Sequence, residues 1–470
     1  MSQNKYVTTA IPYVNGAPHI GHAEDYLLAD IYTRYQTMLG HKVKFQAGTD
    51  EHGNKIEKKA SASNLDLQDY VDQNSQKFRD FLTKFDIGYT DFIRTTDQAH
   101  TRLVQQIWQK LQPHIYLSSY DGWYCEGCES FVTQKEFDEY QGVCPDHQTP
   151  YQRITESNYY FKLSNFKEQI KTAILEHQMQ ILPEFRKKEI LKLLEDAPDV
   201  SISRPTEHLR WGIPVPGDDS QVMYVWMDAL TNYITILGYP ERAISDFWPA
   251  DLQIVGKDIL RFHAILWPAI LLGLGLPLPK TILSHGFILI DGQKISKSLG
   301  NVVDPLDVLA KHGLDAFRYY FSKHVDTFTD ADFTWEKFEN AYRNELANDY
   351  GNLVQRLATL CQKNQVRSTP SSLSFDPTYI DLMDRFEFND AINYVWNKIQ
   401  EINKHIEELK PWQVAKTDPA EARVLLSSLV HELLSANYML KPFLPISNQV
   451  EQIFTASQIQ PPKTPLFPKD

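Results

Sequence analysis

The chain has 470 residues, 42% of them hydrophobic and 23% charged, the composition of a globular protein of about three domains. Its formal net charge of −13 means that any nucleic-acid contact must be a local patch on an acidic body. The longest apolar run, residues 264–278, is shorter than the about 20 residues of a membrane span and is broken by Pro268 and Pro277. With no basic segment followed by an apolar one at the N-terminus, the expectation is a cytoplasmic protein with no membrane partner.

In chain order, residues 6–10 read as a strand and residues 23–39 as an amphipathic helix. Between them stands Pro18-His19-Ile20-Gly21-His22. Strand, tight turn and helix is the geometry in which a helix N-terminus meets a phosphate. Gly16 and Gly21 let the backbone approach, and His19 and His22 can donate to phosphate oxygens. Taken singly, such a histidine pair is more often structural or metal-binding. Residues 42–49 read as a second strand, and strand and helix signals alternate from residue 5 to about 113.

Residues 120–150 are rich in turn formers and hold Cys125-x2-Cys128 and Cys144-x2-His147. That spacing fits a knuckle around one tetrahedral Zn²⁺, closed by four protein ligands and therefore structural. The fourth cysteine, Cys361, is far along the chain, and a disulfide suits a cytoplasmic protein poorly. Helical patterns follow at 166–175 and 187–194. The α/β pattern then resumes with a strand at 223–226, a helix at 227–237, a strand at 252–255, a helix at 260–272 and a strand at 281–290.

Next comes Lys294-Ile295-Ser296-Lys297-Ser298, between Gly292 and Gly300. Two lysines on a glycine-flanked loop can fold over a triphosphate and offset charge on a leaving pyrophosphate, although an isolated basic turn is usually just solvated. In this order, the two motifs point to ATP attacked at its α-phosphate. The fold class expected is α/β: a doubly wound, Rossmann-like parallel sheet, interrupted by the knuckle insertion, with ligands at the carboxyl ends of its strands. Beyond residue 335 the helical patterns at 336–363, 386–409 and 419–439 read as an α-helical bundle, and residues 461–470, with four prolines, read as a tail.

On these residues the chain resembles the class I aminoacyl-tRNA synthetases. His19-Ile20-Gly21-His22 matches their HIGH motif, and Lys294-Ile295-Ser296-Lys297-Ser298 matches KMSKS with isoleucine for methionine. Within that class the resemblance is to the methionyl family, over residues 8–416. It implies a catalytic domain in two halves (1–115 and 221–330), a connective insertion carrying the knuckle (116–220), an anticodon-binding helical domain (331–460) and the tail (461–470). It implies methionine activated by ATP, with Mg²⁺, to methionyl-adenylate, and transferred to tRNA(Met).

The same resemblance assigns residues. His19, His22, Lys294 and Lys297 are the expected catalytic groups, and ATP is expected on His19, Gly21, His22, Gly256, Asp258 and Lys297. The methionine pocket is expected on Ala10, Ile11, Tyr13, Trp226, Tyr233, Ile259 and His263. Asp50 is expected near the substrate ammonium, paired with Arg204; Val200 stands where some relatives have a pocket tryptophan. A thioether favours aromatic neighbours and is a weak acceptor, so Tyr233 or His263 could donate to it. Asn352 and Arg356, one turn apart, together with Trp412, are expected to read the CAU anticodon by hydrogen bonding and stacking. Without an added oligonucleotide-binding domain, a monomer is expected. Two other readings stand: a sibling synthetase, cysteinyl being nearest in size, and a catalytically silent tRNA-binding protein.

Overall fold

The computed structural model describes residues 2–128, 130–294, 303–367 and 373–469. Its main sheet has six parallel strands in the order Asp91–Arg94, Lys42–Thr49, Asn4–Thr9, Leu252–Gly256, Thr281–His285, Gln180–Leu182. Both faces are covered, so the central strands are buried along most of their length. The chain winds outward from Asn4–Thr9 in one direction and from Leu252–Gly256 in the other. The gap between these neighbours is the topological switch point, where doubly wound sheets bind ligands.

The insertion is a long antiparallel hairpin, Ile115–Cys125 against Gln152–Phe161, with the knuckle at its tip. The strand expected at 223–226 lies earlier, at Asp218–Met223, and belongs to a separate antiparallel sheet with Ser203–Pro205 and Pro214–Val215. Residues Val225–Thr235 are already helix. A short apolar run fits either state, and here the helix extends it. Gln180–Leu182, inside the stretch expected as insertion, returns to the edge of the main sheet; three residues are too few to show a period. The strand expected at 281–290 is two, Thr281–His285 and Ile288–Ile290, in different sheets. The chain changes sheet at Gly286, where a Cβ would lie 2.2 Å from the Thr329 carbonyl oxygen.

The helical region joins the catalytic half through one continuous core. Arg318, buried in helix Pro305–Lys323, donates to Asp30 of helix Ile20–Met38 at 2.6 Å and to the carbonyls of Phe443 and Pro442 at 2.6 and 3.1 Å. Removing one partner of such a buried pair typically costs about 3–5 kcal/mol. The helix expected at 336–363 is built as Trp335–Ala341, a wider π-helical stretch Tyr342–Gly351, and Asn352–Lys363. The expected tail packs against the helical region. Phe467 is buried beside Tyr342 and Tyr350, and the Tyr342 hydroxyl donates to the Pro468 carbonyl at 2.7 Å.

Candidate active site and metal centre

A cleft of about 320 Å³ opens at the switch point. Its histidine end is set by helix capping. The Gly21 N–H donates to His19 Nδ1 at 3.2 Å, and the His19 N–H donates to His22 Nδ1 at 3.1 Å. Each Nδ1 is therefore an acceptor, which puts the proton of each neutral ring on Nε2, the atom suited to donate to a phosphate. The rings stack with centroids 3.8 Å apart.

The other end of the cleft is aromatic. Trp226 stacks on Phe262 at 4.0 Å and meets His263 edge-on. His263 Nδ1 lies 3.0 Å from the Ile259 carbonyl, which can only accept, so Nδ1 carries the proton. Burial holds this imidazole down at about 4, hence neutral. Its Nε2 then accepts from the Tyr233 hydroxyl at 2.8 Å. In this arrangement the hydroxyl proton is already committed, and neither group offers the donor expected for a sulfur. The contact they present to a thioether is polarizable and aromatic.

Ala10, Ile11, Tyr13, Asp50, Trp226, Tyr233, Ile259 and His263 line one cleft together with His19, Gly21, His22, Gly256 and Asp258. Asp50 is held from the backbone: its N–H donates to the Pro12 carbonyl at 2.9 Å and its carbonyl accepts from Val14 at 3.1 Å. The residues after it are locked by partners that sequence reasoning missed. Glu51 takes a bidentate Arg94 at 2.7 and 2.8 Å. Buried Asp228 faces His52 at 2.6 Å and His100 at 2.7 Å. A carboxylate in the apolar helix Val225–Thr235 was the available signal for this network. Glu24, Asp25 and His285 also line the cleft and carried no motif.

Arg204 lies beside a neighbouring, smaller cleft with Tyr124, Gln152 and His208. It donates to Ser201 Oγ and the Ser203 carbonyl at 2.8 and 2.7 Å, and its guanidinium sits 4.4 Å from the Tyr224 ring. Val200 is partly buried, packed against the core that includes Tyr233. At the lysine motif, Lys294 pairs through its backbone with Leu289, in the small sheet of Ile288–Ile290 and Gln293–Lys294. Lys297 lies outside the described residues.

At the tip of the insertion, Cys125, Cys128, Cys144 and His147 bring their ligand atoms within 4.8 Å of one another. Cys128 Sγ is 3.6 Å from Cys144 Sγ and 3.4 Å from His147 Nδ1, and Cys144 Sγ is 3.5 Å from that nitrogen. Zn–S bonds of about 2.3 Å and Zn–N bonds of about 2.0–2.1 Å at tetrahedral angles would place S and S about 3.8 Å apart and S and N about 3.6 Å apart. The donor set and its spacing fit that ion.

On the helical region, the Arg356 guanidinium lies 5.1 Å from the ring of half-buried Trp412 and pairs with Glu407 at 2.7 Å. Exposed Asn352 reaches Asn348 at 3.5 Å. These three sequence candidates therefore share one surface.

A family model described as tRNA synthetases class I (M) matches residues 5–156 and 147–358. The methionine–tRNA ligase of Caldanaerobacter subterraneus subsp. tengcongensis is 39% identical, over 95% of this chain and 73% of the relative. That of Thermotoga maritima is 37% identical, over 96% and 74%. That of Rickettsia bellii is 38% identical, over 95% and 91%. Among solved structures, Mycobacterium tuberculosis methionyl-tRNA synthetase in complex with methionyl-adenylate superposes with a TM-score of 0.91 at 32% identity, covering 99% of this chain and 100% of that one. The free-state structure of the same enzyme gives 0.84 at 28% identity, covering 100% and 98%.

Proposed function

The chain belongs to the class I tRNA synthetases of the methionyl type, and we propose that the cleft at its switch point is where methionine meets ATP. The protein is an aminoacyl-tRNA ligase: it activates methionine with ATP as methionyl-adenylate and ligates it to tRNA. The observation that carries the residue assignment is one continuous cleft with stacked histidine donors at one end and the Trp226–Tyr233–His263 pocket at the other.

In the first step a methionine carboxylate oxygen attacks the α-phosphorus, and the bond from that phosphorus to the β-bridging oxygen breaks. Pyrophosphate leaves with the electron pair, and Mg²⁺ enters with ATP as part of the substrate. His19 and His22 stabilise charge growing on the phosphates through Nε2–H, and Lys294 and Lys297 add their positive charges. Gly256 and Asp258 border the nucleoside end, and Asp50 faces the substrate ammonium, with Arg204 as the proposed partner of its carboxylate. In the second step a terminal ribose hydroxyl of tRNA(Met) takes the acyl group and AMP leaves. Catalysis is chiefly positioning and charge stabilisation.

Cys125, Cys128, Cys144 and His147 would hold one structural Zn²⁺ that ties the insertion's tip together. Asn352, Arg356 and Trp412 would read the anticodon. We infer that the chain acts as a monomer in the cytoplasm; among the described residues, no helix is long and apolar enough to cross a membrane. ATP–pyrophosphate exchange screened over all amino acids tests this reading. Exchange driven by methionine supports it. Exchange driven by cysteine would make the protein a sibling synthetase, and no exchange would make it a silent RNA binder.

A further inference from the structure

The cleft holds a cluster that lies outside both phosphate motifs: Glu24 and Asp25 from helix Ile20–Met38, and His285 from the end of strand Thr281–His285. His285 Nε2 lies 2.7 Å from Asp25 Oδ1, and its Nδ1 lies 2.8 Å from the Gly286 carbonyl. A carbonyl and a carboxylate can only accept, so the ring carries both protons and is a cation. Both side chains are mostly shielded from water, at 6% and 17% exposure. Glu24 is buried beside them, with Oε2 3.7 Å from His285 Nδ1. Burial lifts its carboxyl to about 8.

The place of this pair in the chain suggests what it does. Asp25 stands one turn beyond His22, on the helix whose first turn carries the histidine motif. His285 is the last residue before the chain leaves the main sheet at Gly286. Two residues beyond Gly286, strand Ile288–Ile290 begins, and its partner Gln293–Lys294 opens the lysine motif. The bond from Asp25 to His285 thus joins the stem of one motif to the stem of the other across the cleft. The Asp330 carboxylate fixes the far side of this stem: it accepts from the Phe287 N–H at 2.9 Å and from Lys257 Nζ at 2.7 Å.

We propose that Asp25 and His285 are a positioning pair that sets the distance between the histidine motif and the lysine motif, so that both converge on the phosphates as the adenylate forms. This role rests on the cleft being the adenylation site, as proposed above. Neither group need touch the nucleotide; the pair acts through the residues at the two ends of its stems. Misplacing a reacting group by about 1 Å can cost on the order of a hundredfold in rate, so a loosened stem should lower turnover more than binding.

The test is a kinetic cycle on the full chain, using methionine-dependent pyrophosphate exchange. Asp25→Asn and His285→Gln should each lower kcat by about tenfold or more while the methionine KM stays within about twofold. Asp25→Glu, which keeps the carboxylate, should recover most of the rate. In a background lacking both lysines (Lys294→Ala with Lys297→Ala), Asp25→Asn should cost less than about threefold more, because the groups it positions are already gone. Full multiplication of the two losses would overturn the proposal, as would near-normal kcat in both single variants. Circular dichroism and the methionine KM report folding; if both single variants are unfolded, the pair is a folding element and the positioning role is wrong. Wild-type exchange is the separate control: its absence rejects the adenylation site itself, whereas normal exchange in wild type and variants rejects only the pair.

Discussion

Gly127→Ala should empty the metal centre without touching a ligand. Gly127 does not occupy the left-handed region, so its backbone accepts alanine; the obstacle is His147. A Cβ at 127 would lie 2.3 Å from His147 Cγ, 2.6 Å from Cδ2 and 2.7 Å from the ligand atom Nδ1. Restoring ordinary contact moves the ring by about 1 Å, whereas metal–ligand distances tolerate about 0.2 Å. The imidazole therefore leaves the tetrahedron and three thiolates remain. Disturbing an outer partner of a ligand already costs about 10–100-fold in metal affinity, so displacing the ligand should cost at least the upper end of that range. The assay is zinc retention against a chelator of known affinity, read by elemental analysis. His147→Ala should behave alike, and the double variant should lose nothing more. Zinc held by Gly127→Ala as tightly as by wild type would refute the reasoning.

Three further outcomes are expected. Tyr233→Phe leaves buried His263 Nε2 without the donor it has at 2.8 Å, which should cost about 1–3 kcal/mol of stability in urea unfolding and raise the methionine KM with the ATP KM unchanged; an unchanged midpoint and methionine KM would contradict this. Glu24 faces His285, Asp25, Asp326 and Asp330, and its carboxyl is raised from 4.5 to about 8. Between those values the unfolded chain releases its proton while the folded chain keeps it, so this group's stabilising effect is full below pH 4.5 and is lost as pH rises through about 8. Glu24→Gln should therefore gain on wild type across that interval in denaturant titrations and hold its advantage above it; a pH-independent gap counts against the assignment. Trp412→Ala should lower tRNA charging by roughly tenfold or more, since base stacking is worth about 1–3 kcal/mol, and leave pyrophosphate exchange intact; a parallel fall in exchange and melting temperature would make Trp412 structural.

The parts of the site legible in the sequence are those where chemistry dictates residue type over a few positions. The histidine pair, the lysine pair and the Cys–His knuckle each need particular atoms at short spacing. What stayed hidden depends on partners brought in by the fold. His285 gains meaning only when Asp25 lies 2.7 Å away, 260 positions earlier in the chain, and Asp228 only when His52 and His100 converge on it. Strand Gln180–Leu182 is too short for a pattern, and its place is set by pairing with Thr281–His285. The prolines of residues 461–470 marked a tail, but its anchor, Phe467, packs on the distant stretch Tyr342–Gly351. The His263 tautomer, and with it the direction of the Tyr233 hydroxyl's hydrogen bond, follows from the Ile259 carbonyl, which no side-chain pattern reveals.

Charging of a purified tRNA carrying the CAU anticodon tests the central claim most directly. Labelled methionine, ATP and the full chain should give an ester at the terminal ribose of that tRNA. The product should need ATP, should be lost on changing the anticodon, and should not form with cysteine. Adenylate formation with no transfer to tRNA, or charging by an amino acid other than methionine, would contradict the account.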